Sequence, residues 1–229
     1  MLHSPQGPPS LAQWSAHLHQ LAAPASATTL SLDEVRAFRD DRGHHRASDL
    51  PFLAQRFGYE VGPAPAAAAH DVALWWALHD DGIDVDRIID REAQPQSLHR
   101  HEGAVRGGAG GLFRQDLFQT IEVWTEADLS GLHALYHLAQ RRGRPDWRRR
   151  LFEVARWHLL EVQPDNGTNH PWAVHVFLIL AQEESDPQAQ LHAETLLSNS
   201  LVTFGEPDAF SKHILADAAR TLDAYLAGP

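Results

Sequence analysis

Four prolines set the rhythm of the C-terminal half. Pro145, Pro171, Pro187 and Pro207 each stand at the head of a stretch whose apolar residues recur at helical spacing. Proline presets the helical φ and lacks an N–H that a first turn leaves unpaired anyway, so it opens helices and interrupts their interiors. After Pro145, one face carries Trp147, Leu151, Val154, Ala155, His158 and Val162. After Pro171, the run from Ala173 to Leu180 leaves no polar side, which predicts a helix buried all round. Asp186 and Pro187 cap and open a helix with Ala193, Leu197, Leu201 and Phe204, and a last one near Pro207 carries Phe210, Ile214, Ala218, Leu222 and Tyr225. An earlier helix starts at Thr125 and Asp128, a capping-box pattern, and carries Leu129, Leu132, Tyr136 and Ala139 until Gly143 ends it. Short connections between helices of similar length imply antiparallel neighbours.

The N-terminal half predicts helices over Leu11–Leu21, Ser31–Asp40, Asp49–Phe57, Ala66–His79 and Val85–Glu92, with Ser31 and Glu34 as a capping box. Between Ala93 and Gly111 periodicity stops. Histidines at 99 and 101 and four glycines between 107 and 111 read as a loop, either a lid or a linker, and without a Gly-Lys-Ser/Thr ending it is no phosphate-binding loop. Leu117 to Trp124 alternates loosely, as a short extended piece would. The expected fold is all-α, with antiparallel helical hairpins stacked as a partial α/α toroid or a short solenoid. It forms one domain over 1–229, subdivided into an irregular part (1–92), a Gly-rich hinge (93–124) and a regular hairpin part (125–229).

Composition excludes several functions. No cysteine is present, so there are no disulfides, thiolate metal sites or cysteine nucleophiles. Nineteen basic against thirty acidic residues give −11 at pH 7, which argues against nucleic-acid and anionic-membrane partners. Arg141, Arg142, Arg144, Arg148, Arg149 and Arg150 crowd one helix–helix connection, either a solvated turn or a docking point for an anionic partner. The longest apolar run, Ala173 to Ala181, is too short for a bilayer, and the N-terminus lacks signal-peptide character; a cytoplasmic protein is the expectation, with the Asn166-Gly167-Thr168 sequon unused.

Chemically capable groups gather in Gln163 to Leu180, where a polar loop runs into the buried helix. Asp165, Asn166, Asn169 and His170 lie in the loop, with Trp172 and His175 about one turn apart. His170 precedes a proline and so is held extended at the helix mouth. Asn169 lies beside free helical amides, where an oxyanion can bind or where Thr168 or Asn169 simply caps. His158 and His175 fall on buried faces, as hydrogen-bond hubs or general bases. His133 and His137, four apart, share a face and can grip one metal ion with Glu126, His170 or His175. Sixteen histidines also produce such a pair by chance, and the intervening Glu of zinc hydrolases is missing, so no cofactor is expected. Glu126 and Asp128 read as first-turn carboxylates favouring the helix dipole.

Repeated helix pairs, together with Asn169, His170 and Trp172 opening a buried helix, resemble the α/α-toroid proteins, the group of heparinase- and alginate-type polysaccharide lyases and terpenoid cyclases. In the lyases a similar Asn-His-Gly-x-Trp stretch lines the sugar cleft, where Asn neutralises a uronate carboxylate and His helps remove the adjacent proton. Here Pro171 replaces the glycine, Trp172 is displaced by one residue, and Ala173 and Val174 stand where a tyrosine proton donor would follow. The resemblance implies a carbohydrate-directed enzyme, polyuronate lyase or hydrolase-like. Asn169, His170 and His175 would be catalytic, while Asp165, Asn166, Trp172 and Trp124 would contact the glycan. The alternative is a non-catalytic helical-repeat module that meets a protein partner through the arginine cluster or the Trp75-Trp76 pair.

Overall fold

A computed structural model of the chain describes residues 9–90, 110–162, 169–203 and 205–228. The Gly-rich segment up to residue 109, Asp165, Asn166, Thr168 and Phe204 lie outside the described residues, and the expectations placed on them are not addressed. Among the described residues the secondary structure is helical throughout: α1 (Leu11–Ala22), α2 (Leu32–Ala37), α3 (Asp49–Phe57), α4 (His70–Trp76), α5 (Val85–Ile89), a 3-10 turn (Gln115–Leu117), α6 (Ile121–Arg141), α7 (Pro145–Glu161), α8 (Val174–Glu184), α9 (Pro187–Leu201) and α10 (Ala209–Ala227). None is long and apolar enough to cross a membrane.

Local signals account for most helix ends. Ser10 with Gln13 and Ser31 with Glu34 form complete capping boxes, and Asp84, Asp186 and Asp208 accept first-turn amides of α5, α9 and α10. Gly58 and Gly143, at φ +73° and +58°, take the left-handed conformation that ends α3 and α6. The helix expected over Ser31–Asp40 stops at Ala37, because the Asp40 carboxylate accepts the amides of Arg42 and His44 and turns the chain instead.

α4 begins at His70 rather than Ala66, and two starts in the second half of the chain also differ from expectation. α6 begins at Ile121, with Thr120 as its cap; the supposed extended piece is partly its first turn, and Thr125 donates its hydroxyl back to the Ile121 carbonyl from inside the helix. Glu126 and Asp128 therefore sit beyond the first turn and cap nothing. α8 begins at Val174 rather than Pro171, because Ala173 is left-handed at φ +58° and diverts its own amide to a side chain.

Helices adjacent in sequence pack together, α6 with α7 and α8 with α9, while α10 returns against α8 and against α1, bringing the first and last described helices into contact. α4 lies on α6. The expected all-round burial of α8 holds for Val174 through Leu180. At the centre four aromatic rings meet edge-on or tilted: Phe52 of α3, Trp75 of α4, Trp172 just before α8, and Phe210 of α10. Their centroids lie 5.1 Å (Phe52–Trp75, Phe52–Trp172), 5.5 Å (Trp75–Trp172) and 5.6 Å (Trp172–Phe210) apart. Such pairs contribute roughly 0.5–1.5 kcal/mol each beyond area burial, and this hub fixes the elements that carry the polar groups described next.

Candidate functional site

Three buried polar networks surround the aromatic hub. The first joins α6 to α10. His133 and His137 stand one turn apart on α6, so both Nε2 atoms reach one oxygen of Asp217 on α10, Oδ2, at 3.1 and 2.7 Å. Arg220 donates to the other oxygen at 3.1 Å. Burial alone would raise the Asp217 carboxyl, but the His137 charge and the two imidazole hydrogen bonds outweigh it and hold the group well below the usual carboxylate range. Burial pushes His133 down to about 4 against the pull of Asp217, which keeps the ring neutral near pH 7. Its Nδ1 accepts the Ala173 amide at 3.3 Å, so the ring proton sits on Nε2 and points at Asp217. His175 of α8 lies edge-on to His133, centroids 4.3 Å apart, fully buried, with neither ring nitrogen hydrogen-bonded; burial and the neighbouring His133 drive it well below its ordinary value.

The second network lies where the loop before α8 meets α6. His170 Nδ1 lies 2.6 Å from Glu126 Oε1 and 2.9 Å from Arg46 Nη1, and Arg46, from the segment before α3, donates to the same Glu126 oxygen at 3.1 Å and to Asp40 at 3.3 Å. His170 Nε2 faces Asp208, the α10 cap, at 3.6 Å. Burial raises the Glu126 carboxyl, but His170, Arg46 and the Trp172 indole more than offset it, and the group lies below its ordinary value. Beside this network is a cavity of about 200 Å³ whose wall includes Arg46, Ser48, Asp71, Glu126, Ser130 and Trp172. Ser130 accepts the Trp75 indole N–H at 2.9 Å, tying the cavity wall to the hub.

The third network is structural. Asp128, fully buried, accepts His158 Nε2–H at 2.7 Å and the Phe113 amide at 2.7 Å, while the Trp124 ring stacks on His158 and donates to the Phe113 carbonyl. Gly111 packs so closely here that a Cβ would lie 2.8 Å from Trp124, which requires glycine.

The expected site residues are thus separated. His170 and His175 are both buried but belong to different networks, and His170 is committed to Glu126. Asn169 is exposed and lies too far before Val174 to cap α8. Trp172 and Trp124 are 1% and 3% exposed and pack against protein rings, Trp172 on Phe52 and Trp124 on His158, while Trp172 also forms part of the cavity wall. His133 and His137 do converge on a carboxylate, though on Asp217 rather than Glu126. His158, expected as a hydrogen-bond hub or a general base, is fully buried and bonds through Nε2 to Asp128 alone among the described residues.

The arginine cluster is largely consumed by the fold. Arg141 and Arg142 cap the carbonyls of Leu78 and Ala77, Arg144 bridges Asp86 and Asp146, Arg148 pairs with Glu183, and Arg150 holds the Ile89 and Gly111 carbonyls. Sequence reasoning missed Asp217 and Arg46. Asp217 interrupts the apolar stripe of α10 between Ile214 and Ala218, a signal that a buried carboxylate needs partners. Arg46 lies in an aperiodic stretch and carries no such mark.

No protein-family model matches the chain, and neither does any curated protein or solved structure.

Proposed function

We propose that the cavity beside Arg46, Glu126 and Trp172 binds a single sugar ring and that the protein is a carbohydrate-directed, hydrolase-like enzyme of α/α-toroid type. The observation that carries this is the placement of two carboxylates, Glu126 and Asp71, on the wall of one small cavity whose lining also includes Val72, Val123 and Trp172. Glycosidic hydrolysis needs a carboxylate pair, one kept ionised and one able to give a proton. Glu126, held low by His170 and Arg46, suits the ionised role, and Asp71 is the second carboxylate on the wall. The cavity, at about 200 Å³, is smaller than the roughly 300–1,000 Å³ of sites for drug-sized ligands. One ring fits it better than a polymer segment.

The same groups favour hydrolysis over uronate elimination. A lyase needs a free cation or amide for the uronate acid group, but the Arg46 charge is shared between Glu126 and Asp40. Two carboxylates on the cavity wall would repel a uronate and accept hydrogen bonds from neutral hydroxyls. His170, which the lyase resemblance makes the base, is buried against Glu126 and does not line the cavity.

Chromogenic aryl glycosides of neutral sugars and of uronic acids test the reading. The expected result is phenol release from at least one neutral glycoside, lost in both Glu126→Gln and Asp71→Asn while far-ultraviolet circular dichroism is retained. Unsaturated product from polyuronates would favour the lyase chemistry instead. No turnover, and no change in melting temperature with neutral mono- or disaccharides, would overturn the proposal.

A further inference from the structure

The α6–α8–α10 cluster of imidazoles around Asp217 lies outside the proposed cavity. We propose that His133 Nε2, His137 Nε2 and Asp217 Oδ2 form a binding site for one divalent first-row transition ion, with His175 beside it as hydrogen-bond partner of a water that completes the coordination.

The geometry supports this in three ways. The three ligand atoms lie within 4.8 Å of one another, and both imidazoles reach the same carboxylate oxygen. Two of them come from a single turn of α6 and the third from α10, and both helices pack on α8, so the set is held by rigid elements. Two imidazoles and a carboxylate, with no thiolate anywhere in the chain, suit zinc and its first-row neighbours rather than calcium or magnesium.

The independent observation is His175. It is fully buried on α8, 4.3 Å from the His133 ring and 6.0 Å from that of His137, and neither nitrogen has a hydrogen-bond partner among the described residues. A buried imidazole with both nitrogens unsatisfied is costly to a fold. An ion-bound water would donate to one of them. His137 is the most exposed of the three ligands, at 18% against 8% for Asp217, and marks the route by which an ion enters.

Two contacts oppose the ion, and both sharpen the test. The Ala173 amide donates to His133 Nδ1 at 3.3 Å, which places the ring proton on Nε2. Ligation through Nε2 moves that proton to Nδ1 and sacrifices the Ala173 bond, the longest in the cluster. Arg220 competes for Asp217 from the far oxygen, but its side chain is 48% exposed and can withdraw into water.

The experiment uses the full chain stripped with chelator and titrated with Zn2+ by calorimetry and with Co2+ by visible absorption. The expected result is one ion per chain, with Co2+ ligand-field bands that shift in His175→Phe. His137→Gln keeps an N–H for Asp217 but removes the imidazole, and Asp217→Asn removes the carboxylate. Each should weaken binding by at least about 100-fold, since even outer-shell changes cost about 10–100-fold. Arg220→Gln should tighten it several-fold, an effect that a purely structural role for the cluster does not produce. Absence of stoichiometric binding, or binding that His137→Gln and Asp217→Asn leave unchanged, would overturn the proposal. Because neither readout involves glycoside turnover, the result is separate from the fate of the cavity reading.

Discussion

Acid should destabilise this protein through its buried histidines before its carboxylates titrate, and His192 isolates the effect. It sits on α9, 5% exposed, tilted against the Phe177 ring at 4.2 Å, with Nε2 unpartnered. Burial, then the nearby His158, pushes its pKa down from 6.5 to about 3. The unfolded chain binds the proton near pH 6.5 and the folded chain does not until near pH 3, so between those values falling pH favours unfolding. At about 1.4 kcal/mol per unit, and allowing for partial protonation at both ends, the step from pH 7 to pH 5 removes about 2 kcal/mol through this one ring. His133 and His213, each lowered to about 4 mainly by burial, add losses of the same size. Together these approach about 6 kcal/mol, a large part of the roughly 5–15 kcal/mol that holds a domain together. Carboxylates whose values are depressed, such as Asp217 and Glu126, stabilise the fold above the ordinary carboxylate range and lose that contribution only as pH falls through and below it. Urea unfolding of the wild type and of His192→Leu at pH 7 and pH 5 checks the reasoning. The variant should lose about 2 kcal/mol less than the wild type over that step. Equal losses in the two proteins would refute the claim that the ring is buried in its neutral form.

Two other outcomes follow from the backbone and the packing. Ser185 ends α8 in the left-handed region at φ +54° and is exposed, so Ser185→Gly should stabilise by about 1 kcal/mol in thermal or urea unfolding. Gly131 on α6 lies under Phe113, where an added Cβ would come within 2.6 Å of the ring; Gly131→Ala should destabilise by about 1–3 kcal/mol despite its better helix propensity, read as a lowered urea midpoint.

Most of the helices were legible in the sequence because their signals are local. Asp49–Phe57 matches its expected bounds, α1 differs by one residue, and Pro145 and Pro187 open α7 and α9 as expected. Capping, the proline ring and apolar periodicity act over a few residues, and short-range rules read them. Some misreadings were local, the Thr120 cap of α6 and the Asp40 turn after α2, and one arose where a distant group captured a local one. Pro171 did not open α8, because Ala173 turns left-handed and gives its amide to His133, forty residues earlier.

Local signals in the chain therefore fix most of the helices, the burial of α8 and the placing of His158 and His175 on buried faces. Only the tertiary structure decided their partners. His133 meets Asp217 across 84 residues and His170 meets Glu126 across 44. Separations of that order are closed by helix packing around the Phe52, Trp75, Trp172 and Phe210 rings, and nothing in the spacing along the chain encodes which faces that packing brings together. A buried carboxylate announces in the sequence that it needs a donor, but which imidazole supplies it is settled by how α10 lies on its neighbours.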